Sequence, residues 1–277
     1  MANITAAEVN KLRKQTGAGM MDCKKALQEA DGDFEKAVEV LRKKGQKVAA
    51  KRADREATEG FVIGKTNETH DFGVAVLLSC ETDFVAKSEG FVSFVNKVAD
   101  TALFKKVKSL DELKETDLDG RKLDEQVTDL MGKIGEKIEL ADYQIIEAPH
   151  VSAYNHMGNK LATLVGLNKA DGEDLDTTGK ELAMQVAAMN PVAVDEADVD
   201  QKIIDKEKEI GMEQARQEGK PEQILEKIAM GKVNKFLKEN TLLNQDFVRD
   251  TKKSVKQYLS EKDKDLTVSA FRRVSLV

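Results

Sequence analysis

Three consecutive segments constrain this chain more than any others. Val74-Ala75-Val76-Leu77-Leu78 is a continuous apolar run, Thr82-Asp83-Phe84-Val85-Ala86-Lys87 follows it, and an amphipathic run begins at Phe91 and reaches Val98. A short unbroken apolar run reads as a buried strand, and the later spacing reads as a helix. The six residues between them therefore form the turn out of a core strand, where a side chain can leave the fold and enter something else. Phe84 is either a core residue closing that turn or a plug for a partner's pocket, and Asp83 beside it must stay hydrated or find a donor.

The length of 277 residues suits two or three modules. A 40% hydrophobic and 34% charged composition is a soluble, globular balance, and with no Trp and 5% aromatics the core must be aliphatic. Three prolines favour helices over loop-rich β architecture. The net charge of −6, with both signs mixed along the chain, argues against a protein that coats nucleic acid, which needs a dominant basic face. Cys23 and Cys80 make no disulfide framework and fit a cytosolic thiol composition. The start, Met1 to Glu8, has neither a basic nor an apolar signal region, and no run is long enough to span a bilayer, so the expected location is cytoplasmic with no membrane partner.

Residues 1–45 read as three short helices. Thr5-Ala6-Ala7-Glu8 fits a capping box, Thr16-Gly17-Ala18-Gly19 breaks the first helix, and Gly45 is expected to end the third. Residues 46–58, with Lys47, Lys51, Arg52 and Arg55, read as a basic, helical, solvated linker. Residues 59–150 read as an α+β unit: a hairpin over 60–64 and 72–79, a helix over 91–104, a charged helical segment over 109–131, and a strand from Ile138 to Ile146. Residues 151–197 repeat the order hairpin, turn, helix in shorter form, with Asn190-Pro191 as the stop. Residues 198–240 read as two charged helices around Gly219-Lys220-Pro221, an antiparallel hairpin whose narrow apolar stripe suits a projecting element. Residues 241–277 return to the body and end in a strand with one buried face.

Several patterns that resemble catalytic or ligand sites fail on spacing. Gly64-Lys65-Thr66 looks like the end of a phosphate loop, but position 59 is Glu and Gly60 is one residue too close, and the segment opens no helix. The chain is therefore expected to bind no nucleotide itself and to need no cofactor. His70, Cys80, Glu81 and Asp83 lack metal-ligand spacing, and Cys80 with His156 lacks an orienting third group, so no metal site and no catalytic residue is assigned. The basic linker is more often a solvated face than an RNA contact. Met20 and Met21, after Gly-Ala-Gly at a helix start, suit the core and an adaptable contact surface equally.

Two long stretches resemble one family, the bacterial elongation factor Ts family of nucleotide-exchange factors for the GTPase elongation factor Tu. Leu12-Arg13-Lys14-Gln15-Thr16-Gly17-Ala18-Gly19-Met20-Met21-Asp22-Cys23-Lys24-Lys25-Ala26-Leu27 is similar to its N-terminal signature, and Glu81-Thr82-Asp83-Phe84-Val85-Ala86-Lys87 to its second. Lys133-Ile134-Gly135-Glu136 and Tyr154-Asn155-His156 match further positions. The resemblance implies an α+β fold: an N-terminal three-helix UBA-like domain, a core of two related α+β subdomains with antiparallel sheets, and a protruding antiparallel helical hairpin.

It also implies roles. The segment Thr82, Asp83, Phe84 and Val85 is expected to enter the GTPase near its magnesium site and dislodge the ion. Arg13, Met20 and Met21, together with Ile134, Gly135 and His156, are expected to touch the same partner, in its GDP-bound and nucleotide-free forms. In some members the hairpin mediates dimers, which makes a second copy of this chain a further candidate partner. Two other readings compete. A non-catalytic, chaperone-like adaptor, in which the UBA-like helices and the helical hairpin recruit unfolded or ubiquitin-like partners, leaves the Asp-Phe turn without a task, and a small hydrolase needs a nucleophile-base pair that the sequence does not offer.

Overall fold

The computed structural model describes residues 4–172 and 174–276. The chain opens with α1 (Ala6–Thr16), α2 (Met20–Glu29) and α3 (Phe34–Arg52). The Thr5/Glu8 capping box forms as expected, and Gly17 ends α1 in the left-handed region at φ 65°. Leu12, Cys23, Ala26, Leu27 and Ala37 close a small core of their own.

Gly45 does not end the third helix. Helix α3 runs on for two more turns, so residues 46–52 are its last part rather than a linker. The glycine serves a different purpose. A Cβ on Gly132 would lie 2.7 Å from Gly45 Cα, and a Cβ on Gly45 would lie 3.1 Å from the Thr128 carbonyl oxygen. Backbone meets backbone there, and only residues without side chains permit it. That crossing docks the helical module onto the next one.

Next come β1 (Glu59–Thr66), β2 (Phe72–Cys80), the single-turn α4 (Asp83–Ala86) and α5 (Glu89–Lys105). The charged 109–131 segment is not one helix. It divides into α6 (Leu110–Glu115), a tight hairpin of β3 (Asp117–Leu118) and β4 (Arg121–Lys122), and α7 (Leu123–Ile134). Asp119 and Gly120, both at positive φ, make the two-residue turn that splits it. Strand β5 (Ile138–Glu147) then pairs antiparallel with β2, giving the order β1-β2-β5.

The second half repeats the plan. Strands β6 (His150–Asn155) and β7 (Leu161–Leu167) lead to α8 (Leu175–Met189). The hairpin α9 (Gln201–Gln217) and α10 (Glu222–Asn240) is inserted next. Its helices meet along Gly211, Ala215, Leu225, Ala229 and Val233, a seam of mostly small residues that allows close approach. After β8 (Asp246–Phe247), β9 (Asp250–Ser254) and α11 (Val255–Lys262), strand β10 (Val268–Ser275) pairs with β7 in the order β10-β7-β6. Both sheets thus place the second strand of a hairpin in the middle and a late-arriving strand on its far side.

The two sheets are separate and stack face to face. Val62, Ala75, Leu77 and Ile146 of one meet Val151, Ala162, Leu164 and Val274 of the other. On the outer face of the first sheet, Val74, Val76, Leu78 and Cys80 pack against Phe91, Val95 and Val98 of α5. On the outer face of the second, Val165 and Leu167 pack against Leu182 and Val186 of α8 and Leu259 of α11. The layers are therefore helix, sheet, sheet, helix. Strand β2 is buried along its whole length because it has apolar neighbours on both faces, which is why it carries no alternation. Among the described residues, no helix is long and apolar enough to cross a membrane.

Candidate functional site

The turn after β2 is a short helix anchored at its start. Thr82 caps α4, its hydroxyl oxygen accepting from Val85 N–H. The same hydroxyl donates to Glu136 Oε1 at 2.7 Å, and Thr82 N–H donates to Glu136 Oε2 at 3.0 Å. Glu81 accepts from Lys137 N–H at 2.6 Å and from Arg52 Nη1 at 2.8 and 2.9 Å. Those backbone and guanidinium donors, the backbone one first, hold the Glu81 carboxyl below its usual range. The turn is therefore tied to the bend after α7 and to the last turn of α3.

That anchoring decides where each side chain of α4 points. Val85 and Ala86 turn inward against the first core. Phe84, one step around the helix from Val85, is 85% exposed. Asp83 is hydrogen-bonded by Lys87 Nζ at 2.7 Å, which with that ammonium's charge keeps its carboxyl below the ordinary range. At neutral pH the turn thus presents an uncovered phenyl ring beside a carboxylate.

Of the other expected contact residues, Ile134 and Gly135 directly precede the Glu136 that braces the turn. Ile134 lies at the margin of the first core, and Gly135 caps α7 at φ 82° with open space where a Cβ would sit. Lys133, just before them, reaches the α1–α2 turn: its Nζ would lie 3.2 Å from a Cβ on Gly17. Beyond that turn Met20 and Met21 are 54% and 63% exposed, so neither is a core residue. Arg13 is exposed on the last turn of α1.

His156 lies in the exposed β6–β7 loop beside Met157, which is 90% exposed. Its ring nitrogen Nδ1 faces the Tyr154 hydroxyl at 3.0 Å. The loop is fastened to the open edge of β1. Asn155 accepts from Gly64 N–H at 2.6 Å and donates to Gly64 O at 2.9 Å, while Asn159 O accepts from Val62 N–H at 2.7 Å. Lys160 pairs with Glu59 at 2.8 Å and its charge is felt at Asp83. The loop therefore flanks the Phe84 turn.

Gly64 and Lys65 lie within β1, and the Lys65 ammonium pairs with Asp100. Cys80 and His156 do not pair, since the Cys80 thiol donates to Thr82 O at 3.2 Å.

This constellation matches a known family. The family model described as Elongation factor TS matches residues 81–276, starting at the anchored turn itself. A protein from Christiangramia forsetii named Elongation factor Ts is 53% identical over 277 residues, covering 100% of both chains. Proteins of the same name from Amoebophilus asiaticus and Cytophaga hutchinsonii are each 51% identical, covering 98% and 100% of this chain. The chain belongs to the elongation factor Ts family. The relatives' coverage extends the family assignment over the N-terminal helices that the family model leaves out.

Glu136, Glu81, Arg52 and Lys160 were not expected as site residues, yet they mount the turn and its flank. Arg52 is the clearest correction. In the sequence it is one of several cations in a basic run, but in the fold it is half-buried against Glu81. Glu136 carried a signal, since it stands in the stretch 133–136 that matches the family. Its partner Thr82 is 54 residues away in the chain, and nothing local links them.

Proposed function

We propose that this chain is a guanine nucleotide exchange factor for elongation factor Tu, acting without covalent chemistry. One observation carries the reading: Phe84 is an uncovered aromatic on a mount fixed from two sides. An exposed phenyl ring has no stabilising role within this fold. A rigid mount lets it enter a pocket with little ordering cost, which is the property of an interface anchor.

The physical logic is thermodynamic linkage. A GTPase holds GDP through phosphate contacts and a magnesium ion that demands near-octahedral coordination. Phe84 acts as a plug that displaces the elements carrying those ligands, Asp83 perturbs the magnesium-side network, and Thr82 and Val85 set the angle of entry. Arg13, Met20, Met21, Ile134, Gly135 and His156 widen the grip on the same partner. If the factor weakens GDP binding, GDP weakens the factor by the same amount, so exchange is accelerated without a preferred direction.

The test is release of a fluorescent GDP analogue from elongation factor Tu on addition of the chain. Truncating a buried aromatic anchor commonly costs about 2 kcal/mol, or roughly thirty-fold. Phe84→Ala should slow release by that order while its circular dichroism and melting temperature stay at wild-type values. Unchanged exchange by a folded Phe84→Ala protein would refute the plug. Failure of the wild-type chain to release GDP would refute the exchange function itself.

A further inference from the structure

At the end of β2 opposite Phe84, two of the three histidines of the chain converge with a carboxylate. His70 lies in the β1–β2 turn, His150 opens β6, and Asp176 lies in the first turn of α8. Asp176 Oδ1 is 3.2 Å from His150 Nε2 and 3.7 Å from His70 Nδ1, and the three ligand atoms all lie within 4.8 Å of one another. We propose that His70, His150 and Asp176 form a binding site for a zinc-class divalent cation that clamps the two core subdomains together.

The size of the triangle supports this. Nitrogen and oxygen ligands lie about 2.0–2.1 Å from zinc, so neighbouring ligands on a tetrahedral ion are roughly 3.3–3.4 Å apart. Two of the three separations here bracket that value. A ring nitrogen facing a carboxylate oxygen at such a distance needs a proton or a cation between them.

The two rings stack with centroids 5.2 Å apart and planes inclined by 4°. A metal approaches an imidazole in the ring plane, so one ring must tilt. His150 is fixed by its burial, whereas the His70 side chain is 41% exposed and sits on a broad terminal torsion. The tilt therefore falls to His70. The backbone around it is already committed: Val151 N–H donates to His70 O at 2.6 Å, and Ala148 N–H to Asp71 O at 3.2 Å.

Two imidazoles and one carboxylate select zinc, cobalt or nickel over magnesium and calcium, which prefer oxygen. Three protein ligands leave one position for water, the pattern of an open site. The ligands come from both sheets' subdomains, so an ion here restrains the stacking of the sheets without touching the Phe84 turn.

The experiment is calorimetric melting of the full chain, freed of metal by chelator and titrated with zinc chloride or magnesium chloride. Zinc should raise Tm in proportion to the logarithm of its free concentration, and magnesium at the same concentration should not. His70→Asn, which keeps a residue suited to the φ of 55° at that position, and Asp176→Asn should each abolish the zinc shift. Cys80→Ser and His156→Gln should retain it. Cobalt(II) should give visible bands without thiolate charge transfer. The proposal is overturned if zinc leaves the wild-type Tm unchanged, if His70→Asn keeps the shift, or if Cys80→Ser removes it.

Discussion

Thr82 gives both its backbone N–H and its hydroxyl to one carboxylate, that of Glu136, at 3.0 and 2.7 Å. Hydrogen bonds to a charged acceptor contribute roughly 1.5–3 kcal/mol each at most sites. This pair is half-buried, so a value toward the lower end applies. Glu136→Ala should leave the β2–β5 sheet intact but loosen the turn that presents Phe84. GDP release from elongation factor Tu should fall several-fold, and Glu136→Gln, which keeps one acceptor, should lie between. An Ala variant as active as wild type would show that the turn needs no such brace.

The crossing of Gly45 and Gly132 gives a second expectation. A methyl group on Gly132 would lie 2.7 Å from Gly45 Cα and 3.3 Å from its nitrogen, and backbone cannot move aside cheaply. Overpacking of this kind costs about 1–3 kcal/mol. Because the first three helices have a core of their own, Gly132→Ala should undock them rather than unfold the chain. Limited proteolysis between residues 53 and 58 should speed up, with the remainder resistant. A cleavage rate equal to wild type would count against the crossing as the docking point.

Cys80 sets a pH expectation. Burial first, and then the negative charge of Glu136, push its thiol from 9.0 up to about 11. The folded state therefore holds the proton more tightly than the unfolded chain does. The associated stability is complete at neutral pH and is lost as pH rises from 9.0 through about 11. At pH 8 only roughly one thiol in a thousand is ionised in the fold. Alkylation followed by mass spectrometry should leave Cys80 unmodified at that pH until denaturant is added. Rapid labelling of the native chain at pH 8 would contradict the burial.

Much of this fold could be read directly from the chain. The apolar run of β2, the capping box at Thr5, the Gly-Lys-Pro turn and the repeated order of hairpin and helix are all local patterns, and each formed. The errors arose where local pattern and tertiary contact disagree. Gly45 resembled a helix stop, but its reason is Gly132, 87 residues later. The charge pattern of 109–131 suggests one helix, but Asp119-Gly120 is a strong hairpin signal in its midst. Helix α11 went unread because only Val255, Tyr258 and Leu259 face inward among many charges. At the site, Phe84 and Asp83 were visible as an odd pair at a turn. Their mount of Glu136, Glu81 and Arg52 was not, because an ion pair across the fold leaves no periodic trace in sequence.

Asn155 offers the sharpest test of how the β6–β7 loop is held. Strand β1 is the outer strand of its sheet, and an outer strand leaves backbone groups unpaired. At Gly64 the Asn155 carboxamide takes the place of a neighbouring strand, accepting from N–H at 2.6 Å and donating to O at 2.9 Å. Asn155→Ala removes both bonds and should cost about 1–3 kcal/mol, since it leaves a largely buried backbone pair unsatisfied. Asn155→Asp should be no better: its carboxylate still accepts from Gly64 N–H but now faces Gly64 O with no hydrogen between them. In both variants hydrogen exchange should accelerate at the Gly64 amide and over residues 155–160, while β2 stays protected by its two buried faces. Exchange at Gly64 as slow as in wild type would mean that the edge is closed by something other than this side chain. Faster exchange confined to the loop would place His156 and Met157 on a tether that Asn155 alone keeps in register with the Phe84 turn.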